Sequence, residues 1–78
     1  MITVEEFTKK VADQFQENIV LEPDIDFRNN DYFDSLIGMS ILVMIKDSYN
    51  YDMEVSKFLL CNTPRDLFNL IIKDNDSE

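Results

Sequence analysis

The sequence holds no histidine, one cysteine, one glycine and two prolines. The missing histidine removes the commonest general base and the commonest neutral metal ligand. The single thiol, Cys61, cannot close an internal disulfide, which fits a reducing compartment. No base is placed to activate it, so it reads as a small buried or half-buried side chain and not as a nucleophile. So little Gly and Pro argues against a disordered or collagen-like chain, and 45% hydrophobic residues supply a core. Basic residues are scarce as well, seven against sixteen acidic ones for a net charge of −9. Such a field repels nucleic acid and anionic membrane surfaces and favours basic partner surfaces. The longest apolar run, Ile41 to Ile45, is far too short to insert into a membrane. The acidic, helix-like opening Met1-Ile2-Thr3-Val4-Glu5-Glu6 carries no export pattern, and the expected location is the cytoplasm.

What is present reads as helices. Thr3 and Glu6 form a capping box, and Val4, Phe7, Val11 and Phe15 recur at helical spacing behind it. The pattern predicts a first helix from Val4 to Glu17. Residues 18–34 lose the period, with Pro23, Asn29-Asn30 and four Asp marking a long connection. Ile19, Leu21, Ile25 and Phe27 are its expected anchors on the core. From Ser35 to Tyr49 the chain is apolar on most faces, which predicts a central helix capped by Asp34. A short third helix is predicted over Glu54 to Leu60, with Val55, Phe58 and Leu59 inward. Thr63, Pro64 and Asp66 then supply the cap, first position and third position of a final helix ending near Lys73. The expected fold is all-α: one domain over residues 1–74, four helices with a long first loop, and a flexible acidic tail over 75–78.

The segment Asp31-Tyr32-Phe33-Asp34-Ser35-Leu36 carries the chemistry. It sets a serine directly after an acidic cap, at the start of a helix, where the hydroxyl is exposed. The first turn of amides and the helix dipole favour an anion there, so a phosphodiester on that oxygen would sit in a favourable field. Asp34 is also placed to help hold a metal ion for a transferring enzyme. The plain alternative is that Ser35 merely begins a helix. Asp24 and Asp26 suggest the opening of a calcium loop, but the Gly and terminal Glu of such a loop are missing. Met39 and Met44 read as core, with an acyl tunnel as the alternative.

Asp34-Ser35-Leu36 ahead of an apolar helix resembles the attachment motif of acyl carrier proteins. Leu42-Val43-Met44 and Tyr49 resemble that family's second helix, Met53-Glu54-Val55 the start of its third, and Thr63-Pro64-Arg65-Asp66-Leu67-Phe68 the threonine-led start of its fourth. The resemblance implies a four-helix acyl-carrier-type bundle with a 4′-phosphopantetheine arm on Ser35. It implies that Asp34 and Leu36 are read by the phosphopantetheinyl transferase that donates the arm from coenzyme A. The protein would then be a tethered substrate, with no catalytic and no metal-binding residues of its own. Its expected partners are that transferase and acyl-loading and acyl-processing enzymes such as a ligase, a ketosynthase and an acyltransferase. It is expected to be a monomer.

Two departures bear on the pathway. Where many members carry a Gly two residues before the motif Asp, this chain has Tyr32-Phe33, as in a minority branch with an aromatic residue before Asp-Ser-Leu. Where the family shows acids on the exposed face of its second helix, this chain has Ile37, Ser40 and Lys46, with Asp47 remaining. Ile37, Ser40 and Asp47 are the candidate partner-recognition positions, Ile37 either as a contact or as a cover for the loop. They point to a dedicated pathway, a specialised acyl or polyketide product, beside general fatty-acid synthesis. An acyl cleft lined by Ile41, Met44, Phe58, Leu59 and Leu67 is expected beneath the second helix. The alternatives are an aminoacyl or peptidyl carrier beside a nonribosomal adenylating enzyme, an unmodified interaction module with the carrier fold, and an acidic mimic that binds a basic surface.

Overall fold

The computed structural model describes residues 3–76. It contains four helices and, among the described residues, no strand: α1 (Val4–Asp13), α2 (Ser35–Tyr49), α3 (Val55–Phe58) and α4 (Pro64–Asp76). The fold is all-α, as the sequence predicts. Three of the four helices begin where a local cap specifies it. Thr3 Oγ1 accepts from Glu6 N–H at 3.1 Å, and Asp34 Oδ1 accepts from Ile37 N–H at 2.9 Å. At α4 the box is reciprocal, with Asp66 N–H donating to Thr63 Oγ1 and Thr63 N–H donating to Asp66 Oδ2. Helix α2 ends at Asn50, whose left-handed φ of 52° lets its N–H reach the Lys46 carbonyl.

Three helices end differently from the sequence-based expectation, α3 at Phe58 and not at Leu60. α1 stops at Asp13, not Glu17, because the N–H groups of Gln14 and Phe15 bond three residues back and tighten the chain out of the α-helix. Phe15 still enters the core from that turn. α4 passes Lys73 and runs to Asp76. The Tyr51 hydroxyl donates to the Asp74 carboxylate, and Lys57 lies 3.7 Å from it, so a contact across the fold holds this last turn. Of the expected tail, Ser77 and Glu78 lie outside the described residues.

The core takes Phe7 and Val11 from α1, Ile37, Ile41, Met44 and Ile45 from α2, Phe58 from α3, and Leu67 and Ile71 from α4. Helix α1 packs against both α4 and α2. The long connection adds Phe27, fully buried. This connection is tied to the α3–α4 junction by Phe27 N–H to the Asn62 carbonyl and Arg65 N–H to the Pro23 carbonyl, both 2.9 Å. Arg65 also bridges to Asp24 at 2.7 Å. Ile19 and Leu21 are half-buried anchors as expected, whereas Ile25 is exposed.

Two faces are also set differently from the expectation. Ile37 is buried, and Met39, expected in the core, is 63% exposed. On α3 only Phe58 turns inward, while Val55 and Leu59 face solvent. Val55 and Leu59 flank Phe58 at helical spacing on the same face, and they stay at its exposed edge while Phe58 reaches the core.

Candidate functional site

The long connection delivers the chain to Asp34, whose extended backbone and carboxylate cap launch α2. Ser35 is the first helical residue, and its side chain is exposed at the positive end of a fifteen-residue helix. Beside it opens a cavity of about 320 Å³. Asp34, Ser35, Gly38, Met39 and Leu42 line it from α2 and its cap, and Val55, Phe58 and Leu59 from α3 and the turn after it. Arg28 and Phe33 complete the wall from the long connection.

Gly38 lies against two of the rings that line this cavity. A Cβ there would stand 3.4 Å from both Phe33 Cζ and Phe58 Cε2, the close end of ordinary contact. Arg28 holds the opposite side. Its guanidinium donates through Nη2 to the carbonyls of Phe58 and Cys61, both at 2.7 Å, and through Nε to Cys61 at 3.1 Å. It also lies 4.9 Å from the Phe58 ring centroid, 5.4 Å from that of Phe27 and 5.5 Å from that of Phe33.

The structure brings some of the sequence-derived positions together and separates others. Asp34, Ser35, Phe58 and Leu59 meet at this cavity. Leu36 is 72% exposed on the adjoining surface. Ile41, Met44 and Leu67 are buried in the core and do not line the cavity; Gly38, Met39, Leu42 and Val55 take their place. Along α2, Ser40 is half-buried and Asp47 exposed, while Lys46 pairs with Asp52 at 3.1 Å. Ile37 does not reach that surface.

Other candidates resolve into structure. Asp26 caps the turn at Arg28 and Asn29, accepting from both N–H groups, and Asp24 is bridged to Arg65. Among the described residues no cluster of His, Cys, Asp and Glu is arranged to hold a metal ion. Cys61 is buried and its Sγ donates to the Lys57 carbonyl at 3.5 Å. Burial and the nearby Asp66 push its thiol pKa up, away from the reactive thiolate. Among the described residues no helix is long and apolar enough to cross a membrane.

Comparison with known proteins supplies the chemistry. The family model described as phosphopantetheine attachment site matches residues 5–71. No curated protein and no solved structure matches the chain. The matched span runs from the first turn of α1 to Ile71 in α4, and so takes in the Ser35 turn and every wall of the cavity. The chain therefore belongs to the phosphopantetheine attachment-site family, as a carrier of intermediates tethered through covalently attached 4′-phosphopantetheine.

Proposed function

We propose that the protein is an acyl carrier protein whose arm is attached to Ser35 Oγ. The observation that carries this reading is the placing of an exposed Ser35 hydroxyl on the rim of an apolar cavity. The residues fit the group. Asp34 fixes the first turn of α2 by its own cap, and the positive helix end favours the phosphodiester. When bound, the arm supplies a terminal thiol that holds acyl groups as thioesters. The side chains around Ser35 do the rest: they present the attachment point, offer the cargo an apolar surface and exclude water from part of it.

The same cavity favours an acyl cargo over an aminoacyl one. Met39, Leu42, Val55, Phe58 and Leu59 offer hydrocarbon surface, which an α-ammonium group could enter only by losing its hydration. Arg28 would add like-charge repulsion. In this reading the chain is a tethered substrate in the cytoplasm, served by a phosphopantetheinyl transferase and then by acyl-loading and acyl-processing enzymes. The exposed face of α2 carries Leu36, Met39 and Val43. That apolar face supports a dedicated acyl or polyketide pathway.

The test is direct. The protein is incubated with coenzyme A, magnesium and a broad-specificity phosphopantetheinyl transferase, and its intact mass is recorded beside Ser35→Ala. One phosphopantetheine gained by the native chain alone is the expected result. A folded, unmodified sample that gains nothing, or a Ser35→Ala chain that gains the same mass, would sink the assignment.

A further inference from the structure

We propose that Phe33 is a positioning residue for arm transfer: its ring closes over the first turn of α2 and fixes the place of Ser35 Oγ. The inference rests on the carrier reading above and goes beyond it to the residue that presents the hydroxyl.

Transfer depends on placement. Ser35 Oγ attacks the phosphorus that bears the pantetheine in coenzyme A. The new O–P bond forms as the bond to adenosine bisphosphate breaks, and the hydroxyl proton passes to a base of the transferase. This chain contributes the oxygen, so its share of the rate is how well that oxygen is held.

The cap fixes one half of the entry into α2. Asp34 Oδ1 accepts from Ile37 N–H at 2.9 Å, and the Asp34 carbonyl accepts from Gly38 N–H at 3.0 Å. These bonds tie Asp34 to the helix, but its extended backbone leaves the direction of the preceding chain open. Phe33 sets that direction. It stands one residue before the cap, and Gly38 is the fourth residue of the helix. Apolar contact between those two positions fixes the angle at which a chain enters a helix. A Cβ on Gly38 would stand 3.4 Å from Phe33 Cζ, so the tip of the ring lies over that residue.

The ring is held from behind as well. Its centroid lies 6.2 Å from that of Phe15, 5.6 Å from that of Phe27 and 5.5 Å from the Arg28 guanidinium. Its own N–H donates to the Asn30 carbonyl at 3.0 Å. Phe33 thus joins the turn after α1, the long connection and the first turn of α2. Phe15 and Phe27 fill the core from a distance in sequence, whereas Phe33 is covalently joined to the cap itself.

The experiment measures steady-state arm transfer from coenzyme A to the full chain by a broad-specificity transferase, with Ser35→Ala as the baseline. Phe33→Ala should lower kcat about tenfold, since a displacement of about 1 Å can cost about a hundredfold in a positioned reaction. KM should stay within about twofold, because exposed Leu36 is untouched. Phe33→Leu keeps an apolar residue before the cap and should recover most of the loss, to about threefold below native. Phe68→Ala removes a half-buried ring that packs on Phe7, and should leave kcat at its native value. Loss of folded protein alone would raise the apparent KM and spare kcat. A folded Phe33→Ala chain with the native kcat would overturn the inference, as would an equal fall in kcat for Phe68→Ala. If Phe33→Ala does not fold, Phe33→Leu decides, and the native kcat there would overturn it. A native chain that gains no arm would overturn the carrier reading itself, and is read first.

Discussion

At the residue scale the decisive side chain is one the sequence does not advertise. Arg28 stands alone between Phe27 and Asn29, with no motif around it, and its partners lie thirty and thirty-three residues further on. No local pattern can encode such a contact. Its role is nonetheless specific, since one guanidinium joins the long connection to the end of α3 and braces three rings. Arg28→Met keeps the apolar stem and removes the donors, leaving the Phe58 and Cys61 carbonyls short of their partners. Hydrogen bonds to a charged group contribute about 1.5–3 kcal/mol, so the variant should lose about 2–3 kcal/mol of unfolding free energy. Urea unfolding would show this as a lowered midpoint at unchanged slope. An unchanged midpoint would mean that the aromatic contacts, the backbone bonds of Phe27 and Arg65 and the Asp24 bridge hold the loop without Arg28. Ser35 and Asp34 stand at the opposite extreme of legibility. A cap bonds only two or three residues ahead, so the turn that positions Ser35 is written where it acts.

At the element scale the same contrast separates starts from faces. The starts of α1, α2 and α4 were legible because Thr3, Asp34 and Thr63-Pro64-Asp66 are local signals. The faces of α2 and α3 were not. Helix α2 is apolar almost all round, so its period does not say whether Ile37 or Met39 turns inward, and α3 is too short to have a period. The candidate cleft shared this fate: Phe58 and Leu59 were found, Met39 was named only as the alternative to a core reading, and Leu42 and Val55 were hidden by that ambiguity. The C-terminal end of α4 was missed for a third reason, because Tyr51 holds it from across the fold. Burial and the Asp74 carboxylate push the Tyr51 hydroxyl from its ordinary 10.0 up to about 12. A pKa raised on folding gives stability that is complete below pH 10 and lost as pH rises through 12. The native protein should therefore lose stability over that window. Tyr51→Phe, with nothing there to ionise, should lose less stability across the same range. Thermal unfolding recorded at intervals through it measures the two slopes, and parallel slopes would remove Tyr51 from the account.

At the scale of the whole molecule, net charge and the apolar strip of α2 would act at different stages of an encounter. The chain carries −9, yet beyond Asp34 the exposed surface of α2 presents Leu36, Met39 and Val43 at three- and four-residue intervals. Lys46 is paired with Asp52, and Asp47 stands three turns from the attachment point. Any transferase that places an arm on Ser35 must cover the residues around it, so it meets the exposed Asp34 and the hydrocarbon of Leu36 together. Field effects beyond about 10 Å are screened at ~0.1 M salt, whereas apolar contact is not. Net charge should thus set how often the two proteins meet, and Leu36 how long they stay together. Removing most of a buried leucine costs about 1.5 kcal/mol, so Leu36→Ala should raise KM for arm transfer about tenfold. The factor should be the same at low and at high salt, because salt acts on the encounter and not on the contact. Steady-state transfer kinetics on both proteins at two ionic strengths measure it. A Leu36→Ala defect that vanished in high salt would show that the transferase reads this carrier by its charge after all.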